Sequence, residues 1–78
     1  MNIRFQVMVP AGDAYDPQGI CTTLDDAIAT AEIQKDGTWI DVQHEDEDGN
    51  WTYLDHLELA HAKIYGTHDD YINQWEDK

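Results

Sequence analysis

The sequence predicts a small α+β domain: an antiparallel hairpin and an N-terminal strand, with two or three helices packed on the sheet. Three patterns predict it. Ile3, Phe5, Val7 and Val9 alternate with Arg4, Gln6 and Met8; Leu24, Ala27, Ile28 and Ala31 share one side of a helix; and Asp48-Gly49 interrupts a β-rich stretch between Thr38 and Asp55. With 78 residues the chain has room for one domain, residues 1–78, near the lower limit at which a single core offsets the entropy of folding.

The first strand follows from its period of two, which sets one face on a core. Pro10, Gly12 and the run Asp16-Pro17-Gln18-Gly19 carry turn chemistry, so a loop is expected next. Thr23 with Asp26 three residues on reads as a capping box. It opens a helix from about Leu24 to Lys35, with Gly37 at its C′ position. Ile33 lies opposite the apolar stripe, past a frayed end or as exposed surface, while Asp25, Glu32 and Asp36 fall within about 40° of one another as an acidic row.

The hairpin admits two registers. A two-residue loop pairs Val42 with Asp55; a three-residue loop of Glu47, Asp48 and Gly49, with Gly49 left-handed, pairs Val42 with Leu54. The second is preferred, because it sets Ile40, Val42 and Leu54 on one face and Trp39, Trp51 and Tyr53 with Asp41 and Gln43 on the other. Beyond it, Asp55 and Glu58 have capping-box spacing ahead of Leu57, Ala60, His61 and Ile64, a short helix ending before Gly66. The same residues alternate well enough for a fourth strand. Thr67 with Asp70 caps a final helical segment whose Tyr71 and Trp75 should dock on the core. The expected architecture is three strands under two or three helices.

Charge is the strongest functional signal. Seventeen acids stand against 4 Lys and Arg, a formal charge of −13, in a chain that is 41% hydrophobic and so expected to fold. Direct nucleic-acid binding is not expected, since phosphates are met by Lys and Arg. No apolar run nears a membrane span, and no basic stretch with a cleavage site opens the chain, so a cytoplasmic protein with no membrane contact is expected. Cys21 alone builds neither an internal disulfide nor a cysteine-based zinc site. It precedes a helix start, but Asp25 and Asp26 disfavour its thiolate. His56 and His61 are five apart and miss the same-face spacing of a helical metal pair. The run Glu45-Asp46-Glu47-Asp48-Gly49-Asn50 resembles a calcium loop, but with Gly49 in register the first ligand position, which needs an acid, is His44, and the last, which needs a bidentate Glu, is Asp55. No phosphate loop, nucleophile elbow or HExxH motif is present, and the protein is expected to be no enzyme and to carry no metal or cofactor.

The acids are spaced in a way that suits imitation of a polyphosphate. Asp25 to Glu32 rises about 10.5 Å and Glu32 to Asp36 about 6 Å on a helix, near three and two steps of roughly 3.4 Å along a DNA strand. The segment Lys35-Asp36-Gly37-Thr38-Trp39-Ile40-Asp41-Val42-Gln43-His44-Glu45, 11 of 78 residues, resembles the helix-to-strand segment of DNA-mimicking type I-F anti-CRISPR proteins. In size and charge the whole chain also resembles phage-encoded anti-CRISPR and antirestriction inhibitors. The resemblance implies acidic contact through Asp36, Asp41 and Glu45, a CRISPR effector complex as partner, and the host cytoplasm as site of action.

The expected function is therefore a non-enzymatic inhibitor or modulator that binds the basic nucleic-acid-binding surface of a partner protein. Asp25, Glu32, Asp36, Asp41, Glu45, Asp46, Glu47 and Asp48 would meet its Lys and Arg, and Trp39, Trp51 and Tyr53 would anchor the contact. The alternative is a small interaction or dimerisation module whose acidity serves solubility or high salt. Monomer and homodimer are both compatible with the sequence.

Overall fold

Apolar alternation builds the first strand, β1 (Ile3–Ala11): Phe5, Val7 and Val9 are buried, with half-exposed residues between them. In the computed structural model, which describes residues 2–65 and 67–76, β1 is an inner strand of an antiparallel sheet. The chain reverses at Gly12-Asp13. Gly12 has φ 64 while Asp13, like every non-glycine among the described residues, does not have positive φ, the pattern of a type II′ hairpin turn.

The return is a strand, β2 (Ala14–Cys21), where a loop was expected. The sheet therefore has four strands, not three. β2 escapes sequence reading because it is an edge strand exposed over most of its length, so its residues need no apolar alternation. Pro17 is tolerated there for the same reason, beside a bulge at which Gln18 opposes no β1 residue.

α1 (Leu24–Glu32) starts as expected, with Thr23 Oγ1 accepting the Asp26 N–H at 3.2 Å. It ends at Glu32, three residues before Lys35, and Gly37 is no C′ residue but part of the turn into the next strand, at φ 90. After Ala31 the stripe would continue at Gln34 and Lys35. Neither can be buried, so the helix loses the packing that stabilises it. Ile33 caps the end and is 81% exposed. Asp36 thus lies outside the helix, and the acidic row of Asp25, Glu32 and Asp36 does not form.

The hairpin of β3 (Trp39–Glu45) and β4 (Trp51–Glu58) uses both registers considered above. At the tip the three-residue loop holds: Asp46 N–H donates to Asn50 O at 2.8 Å, Gly49 has φ 84, and Gln43 pairs with Tyr53. The register then shifts, so Val42 opposes Asp55, not Leu54 as expected. The shift has a packing cause. Strict alternation would put Leu57 on the same face as Trp51 and Tyr53; one extra residue turns Leu57 to the core, where it is fully buried opposite Ile40, and leaves Leu54 packed at its rim.

Asp55 therefore belongs to the strand and caps no helix. β4 runs to Glu58 and α2 (Leu59–Tyr65) follows at once, so each reading of residues 56–66 holds for a part of them. Gly66, expected to end α2, lies outside the described residues. Thr67 Oγ1 accepts the Asp70 N–H at 3.1 Å and opens α3 (His68–Glu76). Tyr71 is wholly buried, edge-on to Phe5 at 5.8 Å and Tyr65 at 5.0 Å. A second tie joins α3 to α1: His68 Nδ1 accepts the Leu24 N–H at 3.1 Å.

Sheet order is β2-β1-β3-β4. One core cluster unites Phe5, Val7, Val9, Ile40, Val42 and Leu57 with Leu24, Ala27 and Ala31 of α1, Ala62 of α2 and Tyr71 of α3. All three helices thus cover one face of the sheet. Among the described residues, no helix is long and apolar enough to cross a membrane.

Candidate functional site

Residues that alternate with the core positions build the uncovered face. Register assigns to it Arg4, Gln6 and Met8 of β1, Trp39, Asp41, Gln43 and Glu45 of β3, Trp51, Tyr53, His56 and Glu58 of β4, and Tyr15 and Ile20 of β2. Trp39, Trp51, Tyr53, Asp41 and Glu45, all expected as partner contacts, come together here.

The aromatic groups are held at fixed angles. Trp39 is met edge-on by Tyr15 at 4.3 Å and at a tilt of 40° by His56 at 5.5 Å, and its Nε1–H donates to Asp41 Oδ1 at 2.8 Å. The same carboxylate oxygen lies 3.7 Å from His56 Nδ1. Nearer the hairpin tip, the Arg4 guanidinium stacks 4.3 Å from the centre of the Trp51 ring while Arg4 Nε donates to Gln43 Oε1 at 2.7 Å. Arg4 is thereby a structural cation, spread over an aromatic ring and a side-chain amide. Tyr53 is 64% exposed. Its phenol is raised above the usual tyrosine value, first by desolvation and then by the charges of Asp41 and Asp55. Glu45 ends the row, accepting from Asn2 Nδ2 at 2.9 Å.

The remaining acids lie elsewhere. Asp25 and Glu32 are exposed on α1, in the helical layer on the opposite side of the sheet, and Glu32 pairs with Lys63 Nζ at 3.3 Å. Asp36 is exposed in the connection from α1 to β3. Asp25 and Glu32 therefore share no face with Asp41 and Glu45. At the tip, Asp46 Oδ1 accepts the N–H groups of Asp48 and Asn50, each at 2.9 Å, so its carboxylate shapes the turn. Glu47 and Asp48 are the exposed acids there. No group of three or more potential metal ligands occurs among the described residues.

Tyr15, Ile20, Met8, Arg4 and His56 were missed as surface residues. For Tyr15 and Ile20 a signal existed: Gly12-Asp13 is a two-residue hairpin dipeptide immediately after a confirmed strand, and it would have extended the sheet by one strand.

Fold and surface together give a small four-stranded α+β domain whose helices all pack on one face of the sheet. No family model matches the chain, and comparisons with curated proteins and with solved structures find no match either.

Proposed function

We propose that this protein is a non-enzymatic acidic binder that docks on the basic, nucleic-acid-binding surface of a partner protein. The observation that carries the proposal is the bare sheet face, where Trp39, Trp51, Tyr53 and Tyr15 stand among Asp41, Glu45 and Glu58 in a chain of net charge −13. Exposed aromatic rings supply desolvated contact area that sets the lifetime of a complex, and the surrounding carboxylates set approach rate and orientation. Arg4, the one Lys or Arg on the face among the described residues, is committed to Trp51 and Gln43 and does little to offset the field. The resemblance of residues 35–45 makes a CRISPR effector complex one candidate of this kind.

The dimerisation reading has the exposed aromatics in its favour, but two copies would each bring −13 to the interface, a repulsion that burial of a few rings must overcome. Affinity capture from host lysate at low salt, followed by a salt gradient, tests the proposal. A basic nucleic-acid-binding protein should leave the column as salt rises. Capture should weaken with Trp39→Ala or Asp41→Asn and Glu45→Gln together, and survive Asp25→Asn with Glu32→Gln. Retention of acidic or uncharged proteins, or dependence on the helical pair alone, would overturn it.

A further inference from the structure

The backbone of β4 offers a second element of the same contact. Asp46 N–H bonds Asn50 O, which makes that pair a hydrogen-bonded one. Alternation along an antiparallel ladder then makes Glu45 and Trp51 non-bonded, His44 and Thr52 bonded, and Gln43 and Tyr53 non-bonded. The amide and carbonyl groups of Trp51 and Tyr53 consequently point away from β3, toward the rim of the sheet, where β4 is the last strand. The bulge limits this stretch: at its far end the His56 N–H is taken by Asp55 Oδ1 at 2.8 Å. The opposite rim is poorer, since Pro17 of β2 has no donor and Gln18 breaks the register.

Resting on the acidic-binder reading, we propose that the rim from Trp51 to Leu54 takes an extended, lysine- or arginine-bearing segment of the partner as a fifth strand. Charge complementarity selects this occupant. Glu47 and Asp48 stand exposed beyond one end of the stretch and Glu58 beyond the other, with Asp41 and Glu45 on the neighbouring strand. Cationic side chains alternating along an added strand would pass over the exposed Tyr53 ring toward those carboxylates. The two outward residues give up to four backbone hydrogen bonds, and the open-face side chains give selectivity, the division of labour of strand addition. A second copy of this chain is disfavoured as occupant because it carries the same −13.

A synthetic peptide of about seven residues alternating lysine and valine serves as probe, long enough to span the stretch. Its control is the same peptide N-methylated on alternate backbone amides, with equal charge but no strand-forming donors. The full chain should bind the unmethylated peptide about tenfold more tightly, the loss expected for one or two backbone hydrogen bonds. The Trp51 and Tyr53 amides should gain protection from hydrogen exchange in that complex. Tyr53→Pro, which removes an outward donor, should weaken binding further than Tyr53→Ala; where the proline variant fails to fold, the exchange measurement decides. Equal binding of both peptides, or no protection at the two amides, overturns strand addition and leaves the acidic binder standing. No binding of either peptide at low salt overturns both.

Discussion

Replacing Tyr71 by Phe removes one oxygen from the centre of the fold, and a double-variant comparison with Asp55 isolates the tie between that hydroxyl and β4. The Tyr71 hydroxyl donates to Asp55 Oδ2 at 3.2 Å, while the other oxygen of that carboxylate holds the His56 N–H at the β4 bulge. The ring stays in place and no cavity opens. A hydrogen bond to a charged acceptor contributes about 1.5–3 kcal/mol, and Asp55 is only half-buried and can recover water, so a loss near the lower figure, about 1–2 kcal/mol, is expected. In a domain of this size that lowers Tm by roughly 4–16 °C. Asp55→Ala should cost about 1–3 kcal/mol, since it takes from the buried hydroxyl the carboxylate that accepts its proton, and the double variant should cost less than the sum of the two by about 0.5 kcal/mol or more. Alkali adds a second reading. Burial, above all, raises the Tyr71 phenol far above its ordinary value, with the charge of Asp55 adding and a hydrogen bond with Trp75 opposing. Because the folded value exceeds the unfolded one, near 10, this contribution is intact below about pH 10 and is lost as pH climbs beyond it, by up to about 1.4 kcal/mol per pH unit. Urea titrations followed by circular dichroism at pH 7 and above pH 10 measure both effects. Additive single variants would refute the tie, and a Tyr71→Phe protein that loses stability in alkali as steeply as the parent would refute Tyr71 as the source of the alkaline loss.

Gly37→Ala should destabilise by about 1–2 kcal/mol in the same titration, because φ is +90 and an added Cβ would sit 3.2 Å from Pro10 Cγ. Asp46→Ala should cost about 1 kcal/mol and speed exchange at the Asp48 and Asn50 amides, which would lose their acceptor. Thr23→Ala removes the cap of α1 and should also cost about 1 kcal/mol. Raising NaCl from about 0.05 to 0.5 M should raise Tm by screening self-repulsion among the carboxylates, with the chain already folded at the lower concentration. A chain that folds only in concentrated salt would make its acidity an adaptation to brine.

The fold class was legible because its strongest signals are local and periodic: the alternation of Ile3 to Val9, the Thr23 and Thr67 caps, and the left-handed Gly49 at the tip. What escaped depends on tertiary position. β2 is exposed, so no burial pattern marks it. α1 stops where its apolar stripe runs out of core, not where a glycine stands. The bulge near Leu54 follows from a conflict between the faces of Tyr53 and Leu57 that appears only when β4 is followed past Asp55. For the surface, one-dimensional reading put Trp39, Trp51 and Tyr53 with Asp41 on one face, and the structure does the same. Which layer presents Asp25 and Glu32 was not legible, since charge along a sequence carries no information about which layer of a fold presents it.

Competition with DNA tests the central claim most directly. A basic partner recovered by low-salt capture is saturated with a labelled duplex that it binds, and this protein is added in increasing amount. Displacement of the duplex, with no species containing all three components and with loss of the effect in Trp39→Ala, is the predicted result. A stable ternary complex would show that the bare acidic face sits somewhere other than where nucleic acid is held.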